Sequence, residues 1–173
     1  MIVIDNFLPY PNVVREWALQ QKFKTCEEVT KDSGHTNTWP GKRTTVVNEL
    51  DEAYANSILS RIADLAVSNF GVSRNLTIRS SFQLTTESDG NSWIHKDNDV
   101  HVAGLLYLTP NAPIDSGTIL YTNPPHEPVD IIGNLYNRLV LYRADVFHKS
   151  NKYFGTDLKT GRLTQVFFIR SED

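Results

Sequence analysis

The chain has 173 residues, 40% of them apolar and 21% charged, which suits an ordinary globular core and excludes a disordered or fibrous chain. Lys and Arg number 17 against 20 Asp and Glu, a formal charge of −3 with no basic run or stripe, which speaks against duplex nucleic acid as a partner. The single cysteine, Cys26, cannot form an internal disulfide, and the longest apolar run, Val102–Leu108, is far too short to span a membrane; the expectation is one soluble cytoplasmic domain over residues 1–173.

The opening Met1-Ile-Val-Ile-Asp5 predicts a short strand at Ile2–Ile4 rather than a signal segment, because no basic residue leads it and Asp5 interrupts the apolar run. Pro11 suits a first helical position, and Val13, Val14, Trp17, Ala18 and Gln21 follow at helical spacing, predicting a helix to about Phe23. Thr25–Asn48 reads as polar loop. Within it, Trp39-Pro-Gly-Lys-Arg43 is either a plug between helix and sheet or a substrate-binding loop at the mouth of the core. Asp51 is a good N-cap for a second helix that sets Tyr54, Ile58, Ile62, Leu65, Ala66 and Phe70 on one face and ends at Gly71.

Beyond Gly71 the helical period disappears. Leu76–Thr86, Ser92–Asp97, His101–Leu108, Thr118–Tyr121, Pro128–Ile132, Arg138–Tyr142 and Arg162–Ile169 read as short strands separated by Gly, Pro and Asn turn signals. Asn123–Pro128 is a lid or a long connection, and Ser171-Glu-Asp173 a frayed tail. The expected fold class is α+β: a double-stranded β-helix (jelly roll) core with two N-terminal supporting helices.

Candidate chemistry centres on the five histidines. In Trp93-Ile-His95-Lys-Asp97, a strand would put His95 and Asp97 on one face, within reach of one metal ion. The tripeptide alone decides little, since this composition produces a His-x-Asp in roughly one chain of three by chance. His148, in Val146-Phe-His148-Lys-Ser150, would complete two histidines and one carboxylate, the facial set of non-haem Fe(II) sites. A rival set uses His95, Asp97, Asp99 and His101, provided that one strand runs unbroken through the polar Lys96–Asp99. Arg162 and Thr164 share a face of the last strand. An arginine turned into a barrel demands an anion, whereas one at a strand end can reach water. Arg143 and Lys159, both near His148 in sequence, are the first alternatives to Arg162 for holding such an anion. His35 and His126 read as solvent-facing loop residues, and Cys26 as packing.

His95-x-Asp97, His148 and Arg162-x-Thr164, in that order, resemble the motif series of the Fe(II)- and 2-oxoglutarate-dependent oxygenases, in particular their small prolyl-4-hydroxylase-like branch. Gly104-Leu-Leu-Tyr107-Leu108, Ser116-Gly-Thr-Ile-Leu-Tyr121 and the opening Val3–Pro9 resemble further strands of that branch, so the resemblance spans nearly the whole chain. Two features depart from it: Arg162 stands where the branch often has Lys, and Asn151–Gly161 lengthens the interval before it. The resemblance implies that His95, Asp97 and His148 bind Fe(II), and that these three with Arg162 are the catalytic set. It also implies that Arg162 and Thr164 bind the co-substrate 2-oxoglutarate. Tyr107 or Gln83 is a further contact or ordinary cross-strand packing.

With O2 as the second co-substrate, the implied reaction hydroxylates a C–H bond of a protein side chain or small molecule and releases succinate and CO2. The alternative is a non-catalytic, cupin-type jelly roll that binds metal or ligand and gives Arg162 no oxoglutarate to meet. A purely structural domain would require all these motifs to coincide by chance.

Overall fold

The structure, a computed structural model, describes residues 1–34 and 38–172; His35 and the end of the expected frayed tail, Asp173, lie outside the described residues. In chain order the elements are β1 (Ile2–Ile4), α1 (Pro11–Leu19), β2 (Lys24–Thr25), α2 (Cys26–Ser33), β3 (Lys42–Arg43), α3 (Val47–Leu50), α4 (Glu52–Phe70), β4 (Leu76–Thr85), β5 (Val102–Tyr107), β6 (Thr118–Tyr121), β7 (Pro128–Ile132), β8 (Leu139–Arg143), β9 (Phe147–Ser150) and β10 (Arg162–Ser171). The strands form two antiparallel sheets, a major one in the order β1-β8-β5-β10-β4-β3-β2 and a minor one in the order β7-β6-β9. This is the expected double-stranded β-helix with its supporting helices.

Two apolar layers hold the fold together. On the outer face of the major sheet, Leu163, Phe167 and Ile169 of β10 and Leu106 of β5 pack with Ala55, Ile58, Ile62 and Ala66 of α4. Between the sheets, Ala103, Leu105 and Tyr107 of β5 meet Val166 of β10, Val140 and Tyr142 of β8, and Leu120 of β6. Strand β5 is therefore buried on both faces, which explains why Val102–Tyr107 is continuously apolar instead of alternating. Gly104 is required inside it, because a Cβ there would lie 2.4 Å from the Val140 carbonyl oxygen.

Helix α4 begins and ends as expected: the Asp51 carboxylate accepts the Tyr54 N–H at 2.8 Å, and Gly71 closes the helix at φ 68°. Helix α1 stops at Leu19, short of the expected Phe23, because Gln20 and Gln21 turn back onto the carbonyls of Trp17 and Ala18. The stretch expected to be loop contains α2, whose Thr25-x-x-Glu28 capping box joins both N–H groups to the partner side chains at 2.7 and 3.2 Å. It also supplies β2 and β3, which extend the edge of the major sheet. At the other end of the chain β10 runs on through Ser171, which therefore belongs to a strand and not to a frayed tail.

Ser92–Asp97 is not a strand. Its backbone bonds go to two different elements, His95 to His148 and Asp97 N–H to the Ala144 carbonyl, so no continuous ladder can form.

The N-terminal segment is tied down by Asn137, held at φ 63°. Its amide oxygen accepts the Leu8 N–H at 2.8 Å and its amide nitrogen donates to the Leu8 carbonyl at 2.9 Å. Asn137→Ala strands both buried Leu8 groups and keeps the unfavourable backbone angle. It should lower unfolding stability by about 2–3 kcal/mol, seen as a lower urea midpoint at unchanged slope.

Candidate active site

The space between the sheets opens into a cavity of about 1470 Å³. On its wall His95, Asp97 and His148 bring one ligand atom each to within 4.8 Å of the others. His148 comes from β9 and is 5% exposed; His95 is held against it by reciprocal backbone bonds, His95 N–H to the His148 carbonyl at 3.0 Å and His148 N–H to the His95 carbonyl at 2.9 Å. Asp97 Oδ1 lies 3.7 Å from His95 Nε2, and Asp97 Oδ2 lies 3.4 Å from His148 Nε2.

Both rings are oriented by the same device. His95 Nδ1–H donates to the Trp93 carbonyl at 2.9 Å, and His148 Nδ1–H donates to the Val146 carbonyl at 3.0 Å. Each bond fixes the tautomer and turns the Nε2 lone pair toward Asp97, as metal-ligating imidazoles require. Burial lowers the pKa of His95, outweighing the Trp93 carbonyl and the Asp97 carboxylate, and this keeps the ring in the neutral form that can bind a metal. Tyr142, fully buried, packs its ring 4.8 Å from that of His148 and closes the back of the cluster.

The rival ligand set does not assemble. Asp99 adopts φ 63°, which breaks the alternation beyond Asp97, and His101 faces elsewhere, its Nδ1 accepting the Ser171 N–H at 3.0 Å.

Arg162 is 4% exposed and points into the cavity. Its Nε donates to the Ser116 carbonyl at 3.0 Å, and its guanidinium lies over the Tyr107 ring at 5.4 Å. Its Nη2 is buried with no hydrogen-bond partner, and so is Thr164 Oγ1 on the same face of β10. The Tyr107 hydroxyl pairs with Thr118 Oγ1 at 2.9 Å. Gln83 is already engaged at both ends, accepting from Arg43 and donating to the Pro40 carbonyl at 2.9 Å, so its role is to hold β3 and the Trp39 loop. Arg143 pairs with Asp145 at 3.2 Å and, like Lys159, does not line the cavity.

Trp39 and Arg43 do line it, as does Tyr153 from the long Asn151–Gly161 interval, which sequence reasoning did not single out. Residues 123–128 do not; they close the β6–β7 hairpin, with Thr122 N–H bonded to the Glu127 carbonyl, so the segment is a connection. Exposed His126 sits in that hairpin as expected, and Cys26 is half-buried at the start of α2.

No protein-family model and no curated protein sequence matches the chain. Solved structures do. A prolyl-4-hydroxylase from Pseudomonas putida superposes over 99% of this chain and 92% of its own, with a TM-score of 0.59 at 16% identity. A prolyl hydroxylase from Trichoplax adhaerens, in complex with a peptide fragment of the oxygen degradation domain of hypoxia inducible factor, does so over 99% and 83%, with a TM-score of 0.60 at 20% identity. HygX from Streptomyces hygroscopicus, with nickel and 2-oxoglutarate bound, covers 99% and 82%, with a TM-score of 0.62 at 12% identity. The chain thus has the double-stranded β-helix fold of the 2-oxoglutarate-dependent oxygenases, of prolyl-4-hydroxylase type.

Asp97 is the one carboxylate of the cluster, and in a metal site its charge would offset much of the desolvation cost of a dication. Asp97→Ala should weaken Fe(II) or Mn(II) binding by about 100-fold or more in a calorimetric titration while the far-ultraviolet circular dichroism stays that of the parent. His148→Ala should abolish metal binding in the same titration, and His101→Ala should leave it at the parent value.

Proposed function

We propose that the chain, acting as a single catalytic domain, is an Fe(II)- and 2-oxoglutarate-dependent dioxygenase that hydroxylates a C–H bond of a protein side chain or small molecule and releases succinate and CO2. The observation that carries the reading is the pair of orphaned polar atoms, Arg162 Nη2 and Thr164 Oγ1, buried in the same cavity as the His95, Asp97 and His148 cluster. A buried donor without an acceptor costs about 1–3 kcal/mol, more when charged, and a carboxylate bound there removes that cost. Among the described residues no helix is long and apolar enough to cross a membrane; the lone Cys26 supports a reducing, cytoplasmic setting.

In this reading His95 and His148 offer their Nε2 lone pairs to iron, and Asp97 supplies the only anionic protein ligand. Iron and 2-oxoglutarate, when bound, supply the activation of O2 that no side chain can perform. Arg162 holds the far carboxylate of 2-oxoglutarate through the guanidinium edge that Ser116 leaves open, and Thr164 donates its hydroxyl to the same group. Tyr107, buried behind the cavity wall with its hydroxyl on Thr118, packs its ring against the guanidinium and keeps it in place. Leu105, Val166 and Tyr142 exclude water around these groups. The charges close: the two positive charges of iron and the one of Arg162 balance Asp97 and the two carboxylates, as a partly buried site requires.

The test is anaerobic addition of Fe(II) and then 2-oxoglutarate, followed by the visible charge-transfer absorption of the chelate. The parent should develop the band. Arg162→Ala should need roughly 10- to 200-fold more 2-oxoglutarate to reach it, at unchanged iron affinity, and Arg162→Lys should fall between. A parent that binds iron and never shows the band is a cupin-type binding module.

A further inference from the structure

Beyond Arg162 the cavity wall carries more positive charge. On the inward face of the major sheet, Arg162 pairs in register with Thr85, Thr164 with Gln83, and Phe168 with Arg79, while Arg43 of β3 stands opposite Gln83. Arg43 therefore lies level with Thr164, two strands away across β4, and Arg79 lies further along β4 toward the rim; both line the cavity. Among the described residues neither makes an ion pair.

Arg43 is built into its place. Its Nε and Nη2 donate to Gln83 Oε1 at 3.2 and 3.0 Å, and its guanidinium lies 4.8 Å from the Trp39 ring centroid and 5.3 Å from that of Phe168. The hydrogen-bonding partner is neutral and the flanking groups are aromatic, so the charge is oriented but not neutralised. Beside it Trp39 Nε1 is a buried donor with no partner. Burial pulls the Arg43 pKa down to about 10, and the chief opposing influence is the Asp97 carboxylate. That carboxylate is committed to iron in the proposed reaction. With iron, Asp97, 2-oxoglutarate and Arg162 already balanced, Arg43 is left as an unmatched positive charge on a half-dry wall.

Building on the oxygenase reading, we propose that the substrate carries a carboxylate and that Arg43 binds it, in the slot between Trp39 and Phe168. A carboxylate suits this position because it is planar and can meet the open edge of a guanidinium whose faces the rings cover. Arg79, exposed at the rim, adds long-range attraction for the same anion.

The test is isothermal titration of protein loaded with Mn(II) and 2-oxoglutarate. The probes are free amino acids with their primary amides, and acetylated, amidated peptides carrying Asp or Glu with their Asn or Gln counterparts; the two sets separate a free acid from an acidic peptide. At least one acid should bind about 10-fold or more tightly than its amide, a gap of about 1.4 kcal/mol. Arg43→Gln should shrink that gap to within about twofold and leave 2-oxoglutarate binding unchanged, and Arg43→Lys should keep part of it. If Arg43→Gln does not fold, Arg79→Gln should weaken the acid alone by about two- to fivefold, as an exposed charge does.

Equal binding of acids and amides, or no acid binding at about 10 mM, a strength near the weak end of specific recognition, overturns the proposal. So does a variant Arg43→Gln that loses 2-oxoglutarate along with the acids. A parent that binds Mn(II) and the acids but not 2-oxoglutarate sinks the oxygenase reading and leaves the Arg43 carboxylate site standing.

Discussion

The structure depends on the pairing of β10 on both of its sides. It runs in register with β4 from Arg162 opposite Thr85 to Ser171 opposite Leu76, and with β5 from Thr164 opposite Tyr107 to Ile169 opposite Val102. With both edges occupied its side chains have only two directions to take, and a one-residue slip would exchange them. Leu163, Phe167 and Ile169 face the helices, and Arg162, Thr164, Val166 and Phe168 face the cavity. The same register thus seals the outer core and furnishes the inner wall with its polar groups. Gln165, on the outer face and fully buried, is accommodated because Tyr54 donates to its oxygen at 2.5 Å and its nitrogen donates to Ser80 Oγ at 3.0 Å.

The cluster of His95, Asp97 and His148 is made differently. His95 and Asp97 sit on an irregular segment, and two backbone bonds clip it to β9 at His148. The ring orientations then follow from carbonyls two residues upstream of each histidine, Trp93 and Val146. Local backbone shape supplies the aim of each imidazole, and one contact between sheet and loop supplies their proximity. Such a site is preorganised without a rigid element under all three ligands.

Charge explains the rest of the cavity. A chain of net charge −3 concentrates Arg162, Arg43 and Arg79 on one wall, with the Asp97 carboxylate across from them. Each of two guanidinium groups is oriented by a neutral oxygen, the Ser116 carbonyl for buried Arg162 and the Gln83 amide for half-buried Arg43, and each lies against an aromatic ring. Neutral partners fix direction without cancelling charge, so the wall keeps its attraction for anions that arrive from solution.

How much of this was legible beforehand follows from how local each cause is. The sequence by itself determined the capped α4, through Asp51, its apolar stripe and Gly71; the short strands from Leu76 onward; and the candidates His95, Asp97, His148, Arg162 and Thr164, whose residue types and order carry the resemblance. The Thr25-x-x-Glu28 box announcing α2 was also there to be read, although the polar composition around it reads as loop. Only the tertiary structure shows which of the two candidate sets comes together: both have chemically suitable residues, and the outcome turns on a positive φ at Asp99 and on backbone bonds that bring residue 95 to residue 148. It likewise decided that Gln83 is spent on Arg43 and Pro40, and that Trp39 and Arg43 face the cavity. Such facts depend on which distant groups meet across a register, and spacing along one chain carries no information about a partner that the fold supplies.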